Sequence, residues 1–138
     1  SSAASDVYKR QGLAAVIGGA VSMALGEYVS VSSQRDSERA MGLAKEMQVN
    51  PWSAAIASFL SFSLGAALPF ATALLAPASW RIAAIFVLTL VALALTGALS
   101  AKLGEAPVAR SVARIVGGGT MALAATFAIG SLFGANVG

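Results

Sequence analysis

GLAAVIGGAVSMALGEYVSVSSQRD, residues 12–36, is an apolar, glycine-rich run that carries one carboxylate, Glu27, before it reaches the charged end at Arg35 and Asp36. At about 1.5 Å of rise per residue, the part from Gly12 to Val31 can cross the roughly 30 Å hydrocarbon core of a bilayer as one helix. An ionisable side chain in such a span costs free energy and asks for a reason. Three similar blocks follow, Trp52 to Leu75, Ile82 to Ala101 and Ile115 to Phe133. None alternates apolar and polar residues at period two, which argues against a membrane β-barrel. The expected fold is all-α, a polytopic membrane helix bundle with helices at about 12–33, 52–75, 80–101 and 110–133.

Composition agrees. Of 138 residues, 57% are hydrophobic and 11% charged, and the mean hydropathy is +0.79; soluble domains carry about 25% charged residues. Cysteine and histidine are absent, which excludes disulfides, thiol nucleophiles, Cys/His zinc sites and imidazole acid–base chemistry. The net charge of +3 is scattered between apolar blocks, unlike the clustered basic footprint of a nucleic-acid binder. No nucleophile–base pair or phosphate-cradling loop is legible, so no enzyme is expected, nor any cofactor.

The breaks between blocks carry helix-stop and helix-start chemistry: Asn50-Pro51, Pro77-Ala78-Ser79, and Gly104-Glu105-Ala106-Pro107. Basic residues set the orientation. Arg35, Arg39 and Lys45 lie between the first two blocks, and Lys102, Arg110 and Arg114 between the last two; only Arg81 lies in the middle connection. With four spans the two basic connections share a side, assigned to the cytosol, and Trp52 and Trp80 fall at the interfacial belts. Residues 1–11, SSAASDVYKRQ, differ from the rest in being small and polar, and read as a non-native or disordered leader ahead of a transmembrane domain at 12–138.

Small residues form stripes. Gly18, Ser22 and Gly26 recur every four residues, and Gly117, Gly118 and Gly119 open the last block; both are expected to serve helix packing, because small residues let membrane helices approach closely. Gly19, Met23 and Glu27 form the neighbouring stripe. Glu27 lies about 12 Å below Arg35, and no intramembrane Lys or Arg is available to pair with it. A carboxylate one turn from a thioether suits loose binding of a borderline divalent ion such as Fe(II). A protonated glutamate, or one that reaches the interface to cap a neighbouring helix, is the structural alternative.

The run GGAVSMALGEYVSVSSQRDSERA, residues 18–40, resembles the second transmembrane helix of the vacuolar iron transporter family. NPWSAAIASFLSFSLGAALPF, residues 50–70, is similar to the third, and LGEAPVARSVARIVGGGTMALAATFAIG, residues 103–130, to the last loop and helix of the short, nodulin-like branch. The resemblance implies a five-helix, homodimeric transporter that exports Fe(II), and often Mn(II), from the cytosol in exchange for protons. It also implies an ion path of acidic and methionine side chains, matched here by Glu27 and Met23. Such a protein resides in the vacuolar membrane of a eukaryote or the plasma membrane of a prokaryote.

Two departures stand out. The family's first helix carries an Asn-Asp-Gly type motif that residues 1–11 do not match, so the chain reads as four helices of a five-helix set and as an N-terminally truncated fragment. Many members also insert a glutamate-rich cytosolic domain between the second and third helices, where this chain has only Ser33 to Asn50. Asp36, Glu38 and Glu46 in that connection are either a solvated face with internal pairs such as Asp36 with Arg39, or a cytosolic gateway for the ion. The stretch DSERAMGLAKEM, residues 36–47, can extend the first helix into the cytosol. The competing functional reading is a non-transporting membrane scaffold or assembly subunit, in which Glu27 serves packing.

Overall fold

The structure, a computed structural model, describes residues 2–137 and the side chains of residues 2–134. It is all-α. Helices α1 (Ser2–Ala40), α2 (Pro51–Leu75), α3 (Arg81–Leu103) and α4 (Val108–Val137) are joined by short connections, the first of which holds a 3-10 turn at Lys45–Met47. All four are long and apolar enough to cross a membrane, and a fifth such helix is absent among the described residues. Burial runs opposite to that of a soluble core. The buried apolar side chains are small, Ala20, Ala55, Ala76 and Ala101 with Pro51, whereas Leu25, Leu64, Leu95 and Leu132 stand exposed, the distribution expected where lipid is the solvent.

The first helix is longer than its apolar block. Residues 2–11, set apart in the sequence as a leader, are helical and continue α1 without a break. No Gly or Pro interrupts Ser2 to Gln11, and its Ala, Lys, Arg and Gln all favour helix. At the other end α1 stops at Ala40. Gly42 takes a left-handed φ of 78°, and the last carbonyls are satisfied by Leu43 N–H to Glu38 O and Gly42 N–H to Arg39 O, both 3.0 Å. This glycine-closed stop is why the charged stretch 36–47 does not continue as helix.

The chain divides into two compact units, residues 1–74 and 75–138. In the first, α1 and α2 form an antiparallel hairpin. A Cβ on Gly19 would strike the Phe62 ring and one on Gly12 the Phe70 ring, so these glycines admit the aromatic side chains of α2. Further along, the rings of Tyr28 and Trp52 meet at 4.9 Å. Asn50 caps α2 by accepting from Trp52 N–H (3.0 Å) and Ser53 N–H (3.2 Å), and Pro51 occupies the first helical position, where its missing N–H costs nothing. Pro69 lies inside α2 and removes one ladder bond there.

The second unit is the α3–α4 hairpin. Gly97 lies against α4, where an added Cβ would come within 3.3 Å of the Val112 Cα. Gly119 receives Leu93, and Phe86 meets Phe127 edge-on at 6.2 Å. The turn closes with Ala106 N–H on Ala101 O at 2.8 Å and Glu105 N–H on Lys102 O at 3.4 Å. Glu105 there adopts φ 53°, the left-handed conformation that glycine usually supplies. Arg81 folds back so that its Nε donates to the Ala76 carbonyl at 3.0 Å, satisfying backbone beyond the end of α2.

Candidate functional site

The heart of the candidate site is one turn of α1. Met23 and Glu27 are one helical turn apart, Met23 is 47% exposed and Glu27 is exposed as well. Glu27 makes no hydrogen bond or ion pair among the described residues. The stripe therefore starts packed, with Gly19 under Phe62, and becomes open at Met23 and Glu27. A carboxylate without a counter-charge in an apolar span is an acceptor for a cation or a proton. No group of three His, Cys, Asp or Glu that could hold a metal ion exists among the described residues. One carboxylate and one thioether would supply only part of a coordination set, which a divalent ion would have to complete with backbone, hydroxyl or water oxygens or with groups from another molecule.

Around the helix from Glu27, Leu25, Tyr28, Trp52, Ile56, Phe59 and Leu60 line an open groove of about 430 Å³. Its wall is apolar and Glu27 is not part of it. The groove has no ligand chemistry for an ion.

The three acidic residues of the connection do not converge. Asp36 pairs with Arg39 at 4.0 Å, both well exposed, as the spacing suggested, and an exposed pair of this kind contributes little. Glu46 is exposed on the 3-10 turn. Glu38 is only 9% exposed: one carboxylate oxygen accepts from Gln34 Nε2 and the other from Val49 N–H, each at 2.9 Å. It ties the end of α1 to the approach to α2 and is not free for an ion. Around it Arg39 Nε donates to Gln48 Oε1 at 3.1 Å, and Gln48 Nε2 donates to Leu43 O at 2.9 Å. Sequence reasoning did not assign this tie; Gln34 one turn before Glu38 was the available signal.

The glycine stripes also divide. Nothing lies within 4 Å of a Cβ placed on Gly18 or Gly26, and Ser22 is exposed, so this stripe faces away from α2. Gly117 and Gly118 are equally open, and of the triplet only Gly119 packs, against Leu93.

The model of the VIT family matches residues 1–46 and 39–131, two segments that overlap at the α1–α2 connection. Vacuolar iron transporter homolog 2 of Arabidopsis thaliana is 44% identical over 130 residues, covering 89% of this chain and 66% of that protein. Vacuolar iron transporter homolog 1 of the same plant is 44% identical over 133 residues, covering 91% and 66%. Vacuolar iron transporter homolog 5 of Oryza sativa subsp. japonica is 42% identical over 134 residues, covering 91% and 64%. The chain thus spans slightly less than two thirds of the length of these relatives. No solved structure matches it.

Proposed function

The chain belongs to the VIT family, and on that premise we propose that it transports a divalent metal ion, exporting Fe(II), with Mn(II) as a second cargo, from the cytosol in exchange for protons. The observation that carries this reading is Glu27, an unpaired carboxylate within a membrane-spanning helix, with Met23 one turn away. A lone carboxylate binds either the cation or a proton. Each step of cation release is then coupled to proton uptake at the same oxygen atoms, the minimum requirement for exchange. Met23 adds a soft, weak contact, which favours Fe(II) over hard ions of the same charge without holding it tightly.

The basic connections Arg35 to Lys45 and Lys102 to Arg114 are assigned to the cytosolic side, from which the ion enters. The transporter acts as a homodimer. The stripe Gly18, Ser22 and Gly26 is free within its own unit, and a second copy docked on it would double the donor set to two carboxylates and two thioethers. Names of the similar proteins point to the vacuolar membrane, and a prokaryotic chain would reside in the plasma membrane.

The test is Fe(II) uptake into vesicles loaded with a metal-sensitive and a pH-sensitive dye. Glu27→Gln keeps the size and removes the carboxylate, so both metal entry and the coupled pH change are expected to vanish. Met23→Ala should slow Fe(II) less and alter preference among soft ions. Undiminished transport by Glu27→Gln would make the glutamate structural, whereas no metal uptake by the unaltered protein would leave the scaffold reading standing.

A further inference from the structure

Three side-chain polar atoms are buried without a hydrogen-bond partner among the described residues: Ser32 Oγ, Arg35 Nε and Thr89 Oγ1. Two of them, Ser32 and Arg35, lie one turn apart on α1. Hydroxyls elsewhere in the chain find the carbonyl one turn back, as Ser37, Thr72, Thr96, Thr120 and Thr126 do at 2.8 to 3.2 Å. Ser32 does not. Arg35 has no acidic partner either, since the one ion pair at this end joins Asp36 to Arg39. Buried donors left unmet are costly and mark places where a ligand completes the bonding.

Ser32 and Arg35 follow Tyr28 at four and seven residues, which places all three on one face of α1. Directly below on that face is the apolar groove, with Tyr28 and Trp52 at its upper end. From Tyr28 to Arg35 the axial rise is about 10 Å, close to the distance from the edge of the hydrocarbon, where Tyr and Trp belong, to the phosphate level. We propose that this face binds one anionic phospholipid, with its phosphate at Arg35 and Ser32 and an acyl chain along the groove beneath Trp52.

Both halves of the site are needed to choose this occupant. The groove is apolar and of a volume in the range of one alkyl chain, and Leu25, Ile56 and Leu60 along it are more than half exposed. Inorganic phosphate would leave it empty. A partner helix would fill it but would leave the two donors unmet. The guanidinium fork matches phosphate oxygens in pairs, and binding requires the Arg35 and Ser32 side chains to turn their buried donors toward the lipid. The preference for an anion over a zwitterion comes from Arg35 itself, a guanidinium without an acidic partner among the described residues: Asp36 pairs with Arg39, and both carboxylate oxygens of Glu38 are taken by Gln34 and Val49. The proposal requires that α1 and α2 span the membrane; it does not rest on the transport reading.

Trp52 is the reporter. In a Trp80→Phe background it is the sole tryptophan, because the chain has two. The full chain is reconstituted in phosphatidylcholine vesicles containing either brominated phosphatidylglycerol or brominated phosphatidylcholine. The anionic lipid is expected to half-quench Trp52 at an about five-fold lower mole fraction, the preference due to one basic residue at the surface. Arg35→Gln should merge the two curves. Arg35→Lys should keep most of the preference, which separates loss of the site from loss of the fold. Millimolar inorganic phosphate should change nothing. Equal quenching by the two lipids, a preference that survives Arg35→Gln, protection of Trp52 from both lipids, or displacement by inorganic phosphate would each overturn the proposal.

Discussion

Glu38 and Asp36 are two residues apart and opposite in consequence. Asp36 and its partner Arg39 are open to water, so Asp36→Ala should change stability by no more than about 0.5 kcal/mol. Glu38→Ala strands the Val49 N–H and the Gln34 amide, and a loss of about 1 to 3 kcal/mol is expected; thermal unfolding of both variants in detergent measures the difference. Glu105 makes the opposite case. Its φ of 53° is strained for a residue with a Cβ, and Glu105→Gly should stabilise the α3–α4 hairpin by about 1 kcal/mol, read in the same melting experiment. The Asp36–Arg39 pair was legible because both partners lie on one helix at fixed spacing. The burial of Glu38 was not, because it depends on Val49, beyond a turn whose path the sequence does not specify.

Among the elements, the ends of the helices were easier to read than their faces. Asn50-Pro51 announced α2 through local capping chemistry, and the glycine and proline around residues 104–107 announced the turn before α4. The start of α1 was misleading because polarity was taken to mark a boundary, whereas a polar helix built from good helix formers can continue an apolar one. Stripes of glycine do not reveal which neighbour they meet. Gly19 packs against Phe62 while the adjacent Gly18 faces open space. Gly19→Ala should therefore destabilise the first hairpin by about 1 to 3 kcal/mol as Phe62 is displaced, while Gly18→Ala should be neutral or slightly stabilising in the monomer through helix propensity. If the homodimer forms on the Gly18 stripe, the same Gly18→Ala change should weaken association in detergent sizing or crosslinking without moving the melting point of the monomer.

For the whole molecule, four spans fix a parity. The α1–α2 and α3–α4 connections should lie on one side of the membrane and the α2–α3 connection on the other. Since the chain has no cysteine, single-cysteine labelling reads this without background. Ala44→Cys and Ala106→Cys should react with an impermeant maleimide from the same face of sealed vesicles, and Ser79→Cys only from the opposite face. Labelling of Ala44→Cys and Ala106→Cys from different faces would break the four-span topology. The parity expectation needs only lengths and charges, and the labelling experiment decides it. The rest of an ion's coordination shell was not legible, because Glu27 and Met23 would supply two ligands from one helix face and the others must come from groups distant in sequence or from another molecule.

The tie made by Glu38 has a consequence for how this chain can be altered by insertion. Glu38, Gln34 and Val49 join the two ends of the α1–α2 connection, and the residues from Ala44 to Met47 at its tip are exposed. Such a closed base with an open tip is a natural splice point: a polypeptide whose own ends are close together can be grafted after Ala44 while the two helices below keep their register. A lineage could gain or shed a whole cytosolic module there without rebuilding the membrane part, and an engineer could place a fluorescent reporter at the same residue.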